Sequence, residues 1–166
     1  MNNRFNCFAL RYLAVLVLGL GALALHGRSG PLGVFLPASA APWEWGKLGF
    51  WPMLAAIPLT GRLTGGVGKA AEELLPAAVV SAAALFAAAW ALSLAAPGRA
   101  GCLFSWGAVT AAGTAWSVFR RGRPAGSWVL PAVLLAAAYV LFACLPPVWY
   151  PVLDPRSAAA MARIPC

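Results

Sequence analysis

Two stretches of the sequence place charged side chains among aromatic ones and are the strongest candidates for a site. Residues 43–47 hold Glu44 and Lys47 beside two tryptophans, just before an apolar run. Residues 149–156 hold Asp154 and follow the last apolar run. If the two stretches meet at one end of the folded protein, their two carboxylates could bind a divalent cation, act as an acid–base pair or form ion pairs. The candidate catalytic residues are therefore Glu44 and Asp154, and the candidate ligand-binding residues are Trp43, Glu44, Trp45, Lys47, Trp149 and Arg156.

The same stretches also have a purely structural interpretation. Glu44 and Lys47 have i,i+3 spacing, which is the spacing of an ordinary ion pair on a helix. The tryptophans are typical of the aromatic belt at a membrane surface, and Asp154-Pro155 is typical of a turn. His26 is the single histidine, and the four cysteines lack the spacing of metal ligands. The sequence therefore predicts no metal site and no cofactor.

The composition indicates that lipid surrounds this protein. Of its 166 residues, 62% are hydrophobic and 10% are charged, and the mean hydropathy is +0.80. Soluble domains carry roughly 25% charged residues. The net charge is +8, but the cations lie singly or in threes between apolar runs, as topology signals and contacts with anionic lipids do. Because no basic stripe is interleaved with stacking aromatics, we predict no nucleic-acid binding.

Five apolar runs approach the roughly 20 residues that a transmembrane helix needs. We therefore predict an all-α integral membrane protein, with a bundle of about five transmembrane helices in a single domain over residues 1–166. The predicted spans cover residues 7–25, 47–63, 74–96, 102–119 and 128–145. Residues 26–46 form an outer connection, whose part 31–46 could be a re-entrant segment, and residues 146–166 form an outer tail.

Lysine and arginine residues set the predicted orientation, because cytoplasmic loops carry an excess of them. With five spans, seven of the 12 lie on the side of the N-terminus and five lie on the other side. The compact loop Arg120-Arg121-Gly122-Arg123 strengthens this bias. We expect the N-terminus in the cytoplasm and the C-terminus outside, so that Glu44 and Asp154 share the outer side.

Local features of three spans lead to further expectations. Pro52 and Pro58 should kink the second span and free carbonyl groups that neighbouring helices must satisfy. Glu72 and Glu73 come at the start of the third span, where acidic residues complement a helix N-terminus. The fourth span offers hydroxyl groups for hydrogen bonds between helices, and they belong to Thr110, Thr114 and Ser117.

At residues 43–54 the chain resembles an uncharacterised family of small bacterial multi-pass membrane proteins. That family carries a stretch like N-E-S-x-W-E-H-x-K-L-x-F-W-P-M-L after its first helix, and this chain has W-E-W-G-K-L-G-F-W-P-M-L there. The family's tail is like P-P-H-x-P-L-F-x-D-P-x-T-G-x-Y-G, which residues 146–156 match loosely. The resemblance implies a multi-pass topology in a bacterial inner (plasma) membrane.

The chain departs from the family pattern at positions that bear on metal binding. The family's His after the Glu is Trp45 here, and the His of its tail is lost at Val148 or Trp149. Its Asn-Glu-Ser is replaced around residues 39–41. If the family holds a metal through Glu and His, this chain keeps the Glu as Glu44 but lacks the His ligands. The family has no established activity, so the resemblance implies membership and topology alone.

We therefore predict a non-enzymatic binding, scaffold or accessory subunit with an outer aromatic and acidic rim around Glu44 and Asp154. Titratable groups are scarce inside the predicted spans, whereas ion-coupled transporters usually place some there. The expected partners are membrane lipids, with a partner membrane protein or further copies of the chain. One alternative is an enzyme acting on a lipid or lipid-linked substrate, in which Glu44 and Asp154 form the acid–base pair. In that alternative Lys47 and Arg156 hold an anionic headgroup. A second alternative is a small oligomeric transporter or channel.

Overall fold

The computed structural model describes residues 2–25, 34–35, 42–95, 99–119 and 126–144, and this part of the chain is a bundle of α-helices. It contains α1 (Asn2–Ala24), α2 (Pro42–Gly61), α3 (Val67–Ala95), α4 (Arg99–Phe119) and α5 (Gly126–Cys144). The all-α bundle is therefore confirmed. Helix α2 begins before the predicted start at residue 47, because a proline is tolerated in the first helical turn. Helix α3 also begins before the predicted start at residue 74, so its polar first turns are part of the helix.

Three helices in the described residues are long and apolar enough to cross a membrane. They are Arg4–Ala24 in α1, Val67–Leu92 in α3 and Gly126–Ala143 in α5. Helix α5 lies at the edge of the bundle, where most of its leucine and valine side chains are exposed while Ala132 and Tyr139 are buried. Helices α2 and α4 do not reach the same hydropathy.

Helix α2 is largely buried among its neighbours. It packs against α1, α3 and α4, and the Tyr139 ring of α5 contacts its aromatic side chains. Phe50 and Met53 of α2 are fully buried. Also buried are the charged residues of the helix, its three glycines and Pro52. The charged residues and glycines of α2 therefore face protein rather than the surface of the bundle.

A side chain of α4 repairs the hydrogen-bond ladder of α2 at Pro52. Proline has no N–H, so the carbonyl four residues earlier, that of Leu48, loses its helical partner. The indole Nε1–H of Trp106 donates to this carbonyl at 3.1 Å, in a buried position. The expectation that a neighbouring helix satisfies a carbonyl freed by proline is confirmed at this site. The bond also fixes α4 to the middle of α2.

Helices α2 and α3 form a tight hairpin. The Gly66 N–H donates to the Gly61 carbonyl at 2.8 Å. Gly65 and Gly66 have φ angles of 100° and 111°, a region that glycine enters without steric cost. Further along, Gly49 lies so close to the Ser81 backbone that a Cβ would be crowded. The two helix backbones therefore stay in close contact well beyond the turn.

The hydroxyl groups of α4 bond within their own helix, which corrects the expectation of bonds between helices. Thr110 Oγ1 donates to the Trp106 carbonyl at 2.7 Å, and Thr114 Oγ1 donates to the Thr110 carbonyl at 2.7 Å. Ser117 Oγ donates to the Thr114 carbonyl at 2.9 Å. Serine and threonine often satisfy a buried hydroxyl on a preceding carbonyl, so these side chains need no second helix.

Candidate functional site

The predicted Glu44–Lys47 pair is present, and it is buried. Lys47 Nζ donates to both carboxylate oxygens of Glu44, at 2.9 and 2.8 Å. The Lys47 side chain is 1% exposed and that of Glu44 is 8% exposed. Glu44 lies in the first turn of α2, where its charge also complements the helix N-terminus. The pair is therefore formed within one helix, at the end of the bundle where α2 begins.

Aromatic rings from three helices surround the start of α2. The Trp43 ring lies 4.6 Å from Tyr139 and 4.9 Å from Phe142, both on α5, and 6.3 Å from Phe86 on α3. Phe50, one turn beyond Lys47, lies 5.5 Å from Tyr139 between ring centroids. We call Trp43, Glu44, Lys47, Tyr139 and Phe142 the α2 rim. It combines a buried ion pair with an aromatic wall.

Two details of the α2 rim show how tightly it is built. Gly46 packs directly against the Tyr139 hydroxyl, and a Cβ at this position would collide with it. The indole Nε1 of Trp43 is buried and has no hydrogen-bond partner among the described residues. A ligand or partner at this rim would therefore meet one unsatisfied donor close to the charged pair.

The structure separates some of the predicted site residues and leaves others undescribed. Trp45 belongs to a different cluster from Trp43, because it packs with Leu48, Leu85 and Trp106. Both tryptophans are partly buried. The remaining predicted site residues, which are Trp149, Asp154 and Arg156, lie outside the described residues, as does the single histidine, His26.

A second ion pair, which was not predicted, lies near the other end of α2. The guanidinium of Arg11 on α1 pairs with the carboxylate of Glu73 on α3. Arg11 Nη2 also donates to Thr64 Oγ1 at 3.1 Å, in the loop after α2. Arg11 is 0% exposed and Glu73 is 22% exposed at the side chain. These contacts connect α1, α3 and the α2–α3 loop.

This pair overturns the prediction that Glu72 and Glu73 cap a helix. Helix α3 begins at Val67, and its first turn contains no acidic residue. Glu73 therefore lies in the second turn, where it turns toward Arg11, whereas Glu72 is exposed. The available signal was an arginine within an apolar run, because such a residue requires a buried partner in a membrane. The sequence interpretation treated Arg11 as a topology signal instead.

The residues of α2 between the two pairs are apolar where they are buried. Leu48, Phe50, Met53 and Ala56 are each 0% exposed. Along this segment the described residues provide no chain of polar side chains from one pair to the other. They also contain no group of three or more His, Cys, Asp or Glu residues placed to hold a metal ion.

The chemistry open to the α2 rim follows from its pairing. Both oxygens of the Glu44 carboxylate already accept from Lys47 Nζ, so a reacting group would have to displace this contact. Because the Glu44–Lys47 pair is buried, its opposite charges compensate each other where water cannot. The arrangement is therefore better suited to packing and recognition than to proton transfer.

Comparisons with known proteins add no relative for this chain. No family model matches it, and neither the curated proteins nor the solved structures contain a match. Membership of the family that residues 43–54 resemble therefore stays a prediction.

Proposed function

We propose that this chain is a multi-pass protein of a bacterial inner membrane and serves as a non-enzymatic binding, scaffold or accessory subunit. The α2 rim is its recognition surface, on the outer side of the membrane. The N-terminus lies in the cytoplasm and all five helices lie within the bilayer. Membrane lipids surround the bundle, and a partner membrane protein or a second copy of the chain binds at the rim.

The packing of α2 supports its place in the bilayer despite its lower hydropathy. Helix α3 is a candidate span, and α2 runs back along it from a tight turn. At 1.5 Å per residue, the 20 residues of α2 extend about 30 Å, which equals the thickness of the hydrocarbon core. Since its charged residues and glycines are buried in protein, lipid does not meet them.

The observation that carries the functional proposal is the state of Glu44. Both of its carboxylate oxygens accept from Lys47 Nζ within a buried aromatic setting. An enzyme with Glu44 and Asp154 as the acid–base pair would need to break this bond before proton transfer. A binding, scaffold or accessory role needs no such step, because the pair stays intact within the preorganised rim.

The apolar segment between the two ion pairs weighs against the transporter alternative. A transporter or channel places polar or ionisable side chains along its path. The buried residues of α2 between Lys47 and Thr60 are apolar apart from the glycine at position 49. Oligomers of the chain are still compatible with the proposal, because they would form through the exposed helix faces.

Native mass spectrometry of the gently purified protein tests the proposal. We expect wild type to carry a discrete extra mass, which is a lipid, a small ligand or a partner chain, and Glu44→Gln to lose it. Glu72→Gln is the matched control, because it removes an exposed carboxylate and should keep the mass. Circular dichroism establishes that each variant is folded. Identical spectra for all three proteins, with a bare monomer or one common oligomer, would contradict a role for the rim.

A further inference from the structure

Two exposed cations lie at the turn between α2 and α3, at the opposite end of α2 from the rim. Arg62 lies in the turn itself and Lys69 lies in the first turn of α3, and both side chains are exposed. Neither makes a hydrogen bond or an ion pair with another residue in the described part of the chain. Their charges are therefore available to a molecule from outside the protein.

The compact shape of the turn brings the two cations onto one feature of the surface. Gly61 packs so closely against the Val67 backbone that a Cβ would collide with it. The Lys69 side chain reaches back over the turn, since its Nζ would lie 4.0 Å from a Cβ at Gly65. The ammonium group of Lys69 therefore lies over the same five-residue turn that carries Arg62.

The acidic residues nearby do not neutralise this end of the bundle. Glu73 is paired with the buried Arg11, so these two charges cancel, and Glu72 is the one exposed carboxylate among the described residues here. Arg4 is exposed on α1, seven residues before Arg11, and residues with this spacing share a face of a helix. Three exposed cations thus stand against one exposed carboxylate, and the described part of this surface is positive.

Apolar side chains border the cations and limit the kind of anion that fits. Leu63 is 73% exposed, Leu59 is 55% exposed and Val67 is 47% exposed. Each lies within three residues of Arg62 or Lys69 in the sequence. A free phosphate ion has no apolar part that would cover them, whereas a phospholipid carries a negative headgroup and apolar chains in one molecule. In the proposed topology the turn faces the cytoplasmic leaflet, where anionic lipids attract basic segments.

We infer that the α2–α3 turn is a binding site for an anionic glycerophospholipid, whose phosphodiester contacts Arg62 and Lys69 and whose acyl chains cover Leu59 and Leu63. This lipid holds the α2–α3 hairpin at the cytoplasmic surface of the membrane. The inference rests on the proposed placement of the chain in a membrane, and it is independent of the role proposed for the α2 rim at the other end of the helix.

The test titrates phosphatidylglycerol into the protein in mild detergent and measures the first binding event by native mass spectrometry. Wild type should bind this lipid more tightly than phosphatidylcholine with the same acyl chains. Arg62→Gln/Lys69→Gln should lower the affinity for phosphatidylglycerol about 25-fold, at roughly fivefold for each cation near a membrane surface. Its affinity for phosphatidylcholine should stay the same. Glu72→Gln removes the neighbouring carboxylate and should raise the affinity for phosphatidylglycerol.

Two controls separate a site from general attraction. Arg28→Gln/Arg99→Gln removes the same charge from the outer side of the predicted topology, and Glu44→Gln changes the α2 rim. Both should bind phosphatidylglycerol as wild type does. An equal loss in the control double variant would show that binding follows net charge, and a loss in Glu44→Gln would assign the lipid to the rim; either result would overturn the inference. Wild-type affinity in the variant of the turn would also overturn it, as would equal displacement of the lipid by free glycerol 3-phosphate.

Discussion

The two buried ion pairs of this protein are built in opposite ways. Glu44 and Lys47 are three residues apart on one helix, so the pair forms as soon as α2 does. Arg11 and Glu73 are 62 positions apart in sequence and meet only when α1 packs against the α2–α3 hairpin. The first pair therefore needs no contact between helices, whereas the second joins separate helices. The comparison predicts that the two pairs respond differently when one partner is removed.

The largest effect is expected from Glu73→Gln. This variant leaves the Arg11 guanidinium fully buried without its carboxylate, and breaking a buried pair in this way costs about 3–5 kcal/mol. We expect the free energy of unfolding to fall by about 3 kcal/mol, at the lower end of this range, because the Glu73 side chain is partly exposed. Denaturant unfolding in detergent measures it.

Two further variants sharpen this result. Glu72→Gln removes the neighbouring exposed carboxylate and should change stability by less than about 0.5 kcal/mol. Arg11→Met should cost less than Glu73→Gln, because the remaining Glu73 carboxylate can reach water whereas an unpaired Arg11 cannot. Equal losses for the two glutamate variants would refute the assignment of Arg11 to Glu73.

A smaller loss is expected from Lys47→Met. The variant removes the Lys47 ammonium group from the buried Glu44 carboxylate, but the helix N-terminus still stabilises the carboxylate charge. We expect a loss of about 2 kcal/mol, measured by the same unfolding experiment. The double variant Glu44→Gln/Lys47→Met should recover more than half of it, since no charge is then stranded. A double variant as unstable as the sum of the single ones would show that the two side chains do not interact.

The smallest effect concerns the segment of α2 between the pairs. Trp106→Phe keeps an aromatic ring but removes the indole N–H that donates to the Leu48 carbonyl. Loss of this hydrogen bond should lower the free energy of unfolding by about 1 kcal/mol. In a Pro52→Ala background the new N–H of residue 52 can bond to Leu48, so the same tryptophan change should cost less. Unfolding of the four proteins in this double-mutant cycle measures the difference. If Trp106→Phe cost the same in both backgrounds, the N–H of residue 52 would not replace the Trp106 donor.

Local features of the fold could be predicted from the sequence. The apolar runs predict helices because each is long enough and lies between Gly/Pro-containing connections, and the i,i+3 spacing predicts the Glu44–Lys47 pair without knowledge of the packing. The need for a donor near Pro52 could also be predicted, since it follows from the missing N–H. The identity of that donor could not, because Trp106 is 58 residues from Leu48 and only the packing of α4 brings it there.

The same distinction explains what the sequence interpretation missed at the candidate sites. Nothing in the spacing of Arg11 and Glu73 indicates that they meet, and the helix start at Val67 shifts Glu73 from a cap into the second turn. Trp43 and Trp45 are two residues apart, so they point to different sides of α2 and join different clusters. The sequence interpretation grouped these aromatic residues together, although the helix distributes them around its circumference.

The burial of α2 has a consequence for how the protein is made. A membrane-insertion machinery that samples α2 alone encounters a glutamate, a lysine, three prolines and three glycines, a sequence that partitions poorly into lipid on its own. Helix α3 is far more apolar and follows after a five-residue turn over residues 62–66. In the proposed topology α2 therefore enters the bilayer together with α3 as a helical hairpin. A chain truncated before α3 would leave α2 outside the membrane, whatever the strength of α1 as an anchor.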